Sequence, residues 1–219
     1  TGDDSIDMGA GDDTVYDAEG DNTILGGDGN DRMWYVSGEN IDGGSGGDSI
    51  GYYNYHNDAV NARNVTVEGG DGSDTIQDYG SYDYNNGNLS YDLRGGAGND
   101  TVRGSSYGDT IDGGTDDDSL AGNGGDDSMT GGTGDDTLSG GAGNDALEGE
   151  AGDDILQGNQ GDDLLDGGSG GEANGDVAQF TGDRANYLIL DNGGGTLRVV
   201  DRAGTYGDDT VSNVETLRF

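Results

Sequence analysis

Residues 131–156 read GGTGDDTLSGGAGNDALEGEAGDDIL, with Leu138, Leu147 and Leu156 nine residues apart and Asp136, Asp145 and Asp154 nine residues apart. One aliphatic side chain in nine is too little to fold the stretch by apolar burial, because Gly-rich backbone loses the most conformational freedom on ordering. A fixed spacing also argues against a disordered acidic tract, which needs no period. Something other than a hydrophobic core must hold this segment.

The period extends well beyond the quoted stretch. Residues 95–166 divide without a gap into eight nonapeptides: GGAGNDTVR, GSSYGDTID, GGTDDDSLA, GNGGDDSMT, GGTGDDTLS, GGAGNDALE, GEAGDDILQ and GNQGDDLLD. Position 6 is Asp in all eight, and position 8 is Val102, Ile111, Leu120, Met129, Leu138, Leu147, Leu156 or Leu165. Glycines that permit positive φ let the first six residues curl with their carbonyls inward, and the position-6 Asp adds charged oxygens at the end of the curl. Carbonyls and carboxylates together suit Ca²⁺, a hard cation that takes six to eight oxygens at roughly 2.3–2.6 Å. The last three residues predict a very short strand with one inward apolar side chain.

Composition points the same way. The 219 residues carry 46 acids against 8 bases, all Arg, for a formal charge of −38. Such a chain repels phosphate backbones and anionic lipid, which excludes nucleic acid as a partner, and calls for many cations. Of the acids 39 are Asp and 7 Glu, a bias toward short carboxylates held close to a turn. There is no Cys, hence neither disulfide nor thiolate metal site, and no apolar run approaches the length of a membrane span. The chain opens in mid-motif with GDDSID, which reads as part of a larger protein.

The eight units resemble the RTX nonapeptide, G-G-x-G-x-D-x-U-x, of secreted hemolysin-type calcium-binding proteins. The resemblance implies an all-β fold, a right-handed parallel β-roll in which two nonapeptides make one turn and Ca²⁺ sits between repeats n and n+2 on one edge. A column of metal ions would then replace the missing core. The resemblance also implies type I secretion of an unfolded chain and folding outside the cell, where calcium is plentiful.

The first half obeys the same frame with additions. Strong repeats at 8–16, 26–34, 43–51, 69–77 and 95–103 are spaced by 18, 17, 26 and 26 residues, so all fall on one edge, here edge A. Its position-6 residues are Asp13, Asp31, Asp48, Asp74, Asp100, Asp118, Asp136 and Asp154. Edge B runs Asp4, Asn22 and Asn40, is interrupted by two enlarged stretches, and resumes with Asp109, Asp127, Asp145 and Asp163. Same-edge neighbours offer on the order of 10 calcium sites. Asp116 and Tyr107 at position 4, and Ser105 at position 2, replace glycines and weaken individual sites.

The enlarged stretches, 52–68 and 78–94, each carry about eight extra residues and rejoin the frame at Val67 and Leu93. Tyr52, Tyr53, Tyr55, Tyr79, Tyr82, Tyr84 and Tyr91 lie in them, one turn apart on one edge, with Trp34 and Tyr35 a turn earlier. Two readings stand open. Tyr rings flanked by Asn and Asp suit stacking on extracellular polysaccharide, or they form a satellite core where calcium is absent. His56 is the lone His, so a transition-metal or catalytic role has no support, and the nucleotide, EF-hand and Ser-His-Asp patterns are absent.

From 167 onward the composition shifts, with four Arg and both Phe. Residues 186–190 and 196–200, split by DNGGG, predict a β-hairpin, and GDDTV (207–211) echoes the repeat. We expect three parts: 1–94, an irregular roll with Tyr-rich insertions; 95–166, the regular roll; and 167–219, a cap doubling as a secretion signal at a natural C-terminus. The expected function is a calcium-binding module that folds on Ca²⁺ after secretion and stabilises or caps a larger extracellular protein, with any catalysis in a preceding part. A carbohydrate-binding or adhesion module is the alternative.

Overall fold

A computed structural model describes residues 3–16, 22–36, 38–52, 55–56, 64–79, 82–83, 90–169 and 175–219. Among them, strands from alternate turns assemble into two long sheets of 12 and 10 strands, beside a two-stranded pair. Over 95–166 the chain passes from one sheet to the other every nine residues, so each sheet is built there from every second repeat. Thr137–Ala142 pairs parallel with Ile155–Gln160 in the 10-stranded sheet, and Ser128–Thr133 with Ala146–Ala151 in the 12-stranded sheet. This is the parallel β-roll the nonapeptide implies.

Thr101–Arg103 and Leu164–Asp166 keep the three residues that the x-U-x pattern predicts, but the strands between them exceed it. Thr137–Ala142 spans six, because the parallel ladder continues into the next repeat's first residues, where Gly141 lies opposite Asn159. A strand here is thus half apolar stripe and half glycine turn.

Position 8 forms two buried columns. Ile24, Ile41, Val67, Leu93, Ile111, Met129, Leu147 and Leu165 stack in register in one sheet. Met33, Ile50, Ile76, Val102, Leu120, Leu138, Leu156 and Ala178 stack in the other. All are at most 2% exposed, so the core is two side chains wide along the roll.

The enlarged stretches leave the roll side by side. Their short strands, Tyr55–His56 and Tyr82–Asp83, pair parallel with Tyr82 opposite Tyr55, and both return to the 12-stranded sheet with Leu93 opposite Val67. Strand Ser90–Ala97 crosses the expected 94/95 boundary, so the change in repeat regularity there falls within one stack.

At the C-terminal end, Tyr187–Gly193 and Thr196–Asp201 form the antiparallel hairpin expected from their alternation. Thr196–Asp201 then pairs antiparallel with Asp208–Ser212, which itself lies parallel to Leu164–Asp166 with Val211 opposite Leu165. The GDDTV echo is therefore a rung of the roll. Phe180, Tyr187 and Phe219 pack with ring centroids 5.1–5.6 Å apart, and the Arg184 guanidinium lies 5.3 Å from the Phe219 ring.

Candidate metal columns

Each turn that carries the chain between sheets ends in the position-6 Asp. Its backbone N–H donates to Oδ1 of the next position-6 Asp on the same edge: Asp118 to Asp136 at 2.8 Å, Asp136 to Asp154 at 2.8 Å, Asp127 to Asp145 at 2.9 Å. On edge A this ladder runs from Asp13 through Asp31, Asp48, Asp74, Asp100, Asp118, Asp136 and Asp154 without a break. On edge B it links Asp109, Asp127, Asp145 and Asp163.

One carboxylate oxygen is therefore spent on the ladder. The second, Oδ2, is buried and without a hydrogen-bond partner in Asp31, Asp48, Asp74, Asp100, Asp118, Asp136 and Asp154 on edge A and in Asp127, Asp145 and Asp163 on edge B. A buried, unpartnered carboxylate oxygen is costly and occurs repeatedly only where a partner is to be supplied. Among the described residues no three His, Cys, Asp or Glu side chains gather into a metal-holding cluster. A cation here must draw on one carboxylate per turn together with main-chain carbonyls, the hard oxygen donors that suit Ca²⁺.

The surroundings of Oδ2 fit that demand. A Cβ placed on Gly131 would stand 2.5 Å from Asp136 Oδ2 and 2.9 Å from the carbonyl oxygen of Gly149, one turn on. The position-1 glycine thus leaves open a cradle flanked by a carboxylate and a carbonyl. Its counterparts Gly95 and Gly113 stand in the same relation to Asp100 and Asp118 and to the Gly113 and Gly131 carbonyls.

Without a cation the columns are electrostatically unfavourable. Burial, with neighbouring carboxylates, pushes Asp74, Asp118 and Asp136 up to about 7 and Asp127 to about 8, against the lowering effect of the ladder hydrogen bonds. Asp100, Asp154 and Asp163 rise to about 6, and Asp48 and Asp145 also rise, all led by burial.

The ladder itself does not demand a carboxylate. Asn22 is fully buried on edge B and accepts the Asp4 N–H at 2.9 Å through its amide oxygen. Position 5 makes the same point from outside. Its exposed side chains accept N–H bonds in the reverse direction, from Asp135 to Asp117, Asp153 to Asp135, Asn144 to Asp126 and Asp162 to Asn144, and Asn serves there as well as Asp. Position 6 is Asp throughout the eight nonapeptides, which points to a need for the charged second oxygen.

Asp109 stands apart. Its Oδ2 accepts the Ser105 N–H at 2.7 Å and the Ser105 hydroxyl at 3.0 Å, so the serine that replaces glycine at position 2 supplies the partner that Oδ2 lacks elsewhere. Asp116 instead takes φ +76°, and its turn keeps the glycine-like left-handed conformation.

The edge-B interruption also acquires a cause. Position 6 is occupied by Val65 and Tyr91 in the enlarged rungs, 4% and 2% exposed, and Tyr91 N–H keeps the ladder by donating to Asp109 Oδ1 at 3.0 Å. Tyr52, 1% exposed, packs on Tyr91 at 4.6 Å between centroids and donates its hydroxyl to the Arg103 carbonyl at 3.2 Å. Burial, with Asp109 and Asp78 nearby, pushes the Tyr52 phenol well above its ordinary range. Tyr52 and Tyr91 are therefore core residues packed on each other, Tyr91 in the place of a position-6 carboxylate, and their inclusion in a surface ligand patch is corrected: a ring closed off from solvent stacks on no glycan.

Of the other patch residues, Tyr79 is 39% exposed and stacks on Trp34 at 5.5 Å. Tyr53 and Tyr84 lie outside the described residues, as do the side chains of Tyr35, Tyr55, His56 and Tyr82. Asn40 is also corrected. A one-residue deletion shifts the register, so Asn40 pairs with Thr23 while Asn22 pairs with Gly38, and Asn40 is exposed.

Three ladder residues escaped the nonapeptide frame. Asp176 Oδ1 accepts the Asp154 N–H at 2.8 Å, Glu215 Oε2 accepts the Asp176 N–H at 2.8 Å, and Asp209 Oδ1 accepts the Asp163 N–H at 3.1 Å. Their signals were the short stretches GDVA (175–178) and GDDTV (207–211); Glu215 has none beyond an acid two residues before Leu217.

A family model described as RTX calcium-binding nonapeptide repeat (4 copies) matches residues 7–41, 60–81, 92–106, 103–138 and 139–171, more than half of the chain. No curated protein matches the sequence.

Proposed function

The chain belongs to the RTX calcium-binding nonapeptide repeat family and is a calcium-binding module, and from that premise we propose that its biochemical role is folding coupled to calcium outside the cell. The observation that carries this reading is the set of ten buried, unpartnered carboxylate oxygens repeated along two ladders. When bound, the cation supplies positive charge and oxygen coordination at each cradle. The rest belongs to the chain. Position-6 Asp residues Asp31, Asp48, Asp74, Asp100, Asp118, Asp136, Asp154, Asp127, Asp145 and Asp163 present Oδ2, and position-1 glycines keep the cradles open. Asp13 heads the edge-A ladder, and Asp109 contributes chiefly to the ladder. On the order of ten ions would be held, since each free Oδ2 marks one cradle.

With a formal charge of −38 and a core only two side chains wide, the cation-free chain gains little by compaction and suffers strong carboxylate repulsion. That supports export as an extended chain through type I secretion machinery where free calcium is scarce, and folding where it is abundant. The antiparallel C-terminal hairpin supports a capping role for the last rungs. Limited proteolysis tests the proposal: the chain should be cut throughout in chelator and protected over 95–166 in millimolar Ca²⁺. Equal protection in both would sink it.

A second reading concerns a carbohydrate platform, favoured by one observation. On the outer face of the 10-stranded sheet Tyr16, 72% exposed, lies opposite Trp34, and Tyr79 reaches over Gly51 to stack on Trp34. Three aromatic side chains spread over four successive rungs suit a neutral glycan, since the charge excludes an acidic one. Trp34 is the single Trp, so its fluorescence, titrated with neutral oligosaccharides, reports binding; an unchanged spectrum rejects this reading.

A further inference from the structure

Both ladders continue past residue 171, where the family match ends. On edge A the Asp154 N–H donates to Asp176 Oδ1, and the Asp176 N–H to Glu215 Oε2. On edge B the Asp163 N–H donates to Asp209 Oδ1. Asp176 and Asp209 are 2% and 3% exposed, as buried as the carboxylates of the nonapeptides.

The turns that hold these residues reproduce the cradle. A Cβ on Gly167 would stand 2.5 Å from Asp176 Oδ2 and against the carbonyl oxygen of Asn213, the relation Gly131 has to Asp136 and Gly149. Asn213, with φ +51°, takes the left-handed conformation that glycines, and also Asp116, Asn123, Glu150 and Asn159, take in the turns of the roll. On edge B, Gly207, with φ +87°, abuts the Gly161 carbonyl as Gly161 itself abuts that of Gly143, and Asp208 N–H joins the outer ladder on Asp162 at 2.9 Å. The last nonapeptide carboxylates facing this junction, Asp154 and Asp163, are 0% and 2% exposed with Oδ2 unpartnered.

Resting on the calcium reading above, we propose that both metal columns run past the last nonapeptide into the C-terminal segment. Asp209 closes one column and Asp176 with Glu215 closes the other, so that divalent cations tie the cap to the roll. The longer Glu215 side chain suits a shortened turn: only one residue separates it from Asn213, where a nonapeptide places four between positions 1 and 6. Calcium then sets the state of the cap as well as of the roll, although the cap lacks the nonapeptide sequence.

Native mass spectrometry of the full chain counts ions one by one. At saturating Ca²⁺ the wild type gives the reference count, and Asp209→Asn and Glu215→Gln should each bind one ion fewer, while Glu148→Gln, an exposed acid outside the ladders, should match it. The amide variants keep an acceptor for the ladder N–H and so spare the hydrogen bonds. Hydrogen exchange should show weakened calcium protection over 196–219 in both variants and unchanged protection over 128–160. If both bind the full count, these carboxylates merely terminate the ladders and the proposal is overturned. Should Asp209→Asn lose protection along the whole chain, the Glu215→Gln count decides. A wild type that takes up no calcium would instead remove the calcium reading itself.

Discussion

At the scale of the residue, the position-6 aspartate divides its two oxygens between structure and charge. Oδ1 holds the neighbouring turn, a task that Asn22 performs as an amide, while Oδ2 is left buried for a cation. Asp136→Asn should therefore keep the ladder yet raise the calcium midpoint of folding roughly threefold to tenfold, the size of a ligand worth about 1 kcal/mol. Asp109→Asn should shift it less, because Ser105 already supplies a partner for Oδ2. Calcium titrations of the two variants monitored by circular dichroism compare them directly, and equal shifts would contradict the division of roles. The same carboxylates set a pH dependence. Their folded values, about 6 to 8 in metal-free protein, lie above the ordinary value of 3.8, so the metal-free fold binds more protons than the unfolded chain. Stability of the stripped protein is then fully present below about 3.8 and lost as pH rises through 6 to 8. Metal-stripped chain should show β signal at pH 4 that fades by pH 8; a signal that grows with pH would contradict the sign.

At the scale of the element, the rung is legible in sequence wherever glycine, Asp and an aliphatic residue keep the nine-residue frame. Leu138, Leu147 and Leu156, inward by their place in that frame, are at most 2% exposed. The strand lengths were not legible, because glycine is a poor strand former in isolation and is drawn into the ladder only by its parallel neighbours. Nor was the register at Asn40, where one deleted residue breaks the spacing on which the reading depended. Tyr52 and Tyr91 looked like surface aromatics because their stretches are rich in Asn. Only the stack shows that they fill the interior, packed on each other, with Tyr91 in the place of a position-6 carboxylate. Tyr91→Ala should accordingly cost roughly 3–5 kcal/mol of calcium-saturated stability, as for other large core aromatics, measurable by denaturant titration. Position 2 tests the turn itself. Gly132 has φ +115°, and a Cβ there would collide with the Gly114 carbonyl, whereas Glu150 and Asn159 sit at φ +74° and +79°. Gly132→Ala should destabilise by roughly 1–3 kcal/mol, and Glu150→Gly should not.

At the scale of the whole molecule, the roll exchanges a broad hydrophobic core for two narrow apolar columns flanked by carboxylate ladders. Asp176, Asp209 and Glu215 were hidden because residue spacings of 22, 46 and 39 along the ladders carry no periodic signal, although the stack places them in line. Every ladder hydrogen bond joins residues at least 17 apart, so no turn is held by its own sequence alone, and the stack should form cooperatively. The direct measurement is a calcium titration of the chelated chain by far-UV circular dichroism, with Mg²⁺ as control. The account predicts a coil spectrum at neutral pH that converts cooperatively to β in millimolar Ca²⁺ and stays unconverted in Mg²⁺, whose octahedral geometry and tightly held water suit these cradles poorly. A chain already β-folded at neutral pH in excess chelator would show that the apolar columns suffice without the metal, and would contradict the central claim.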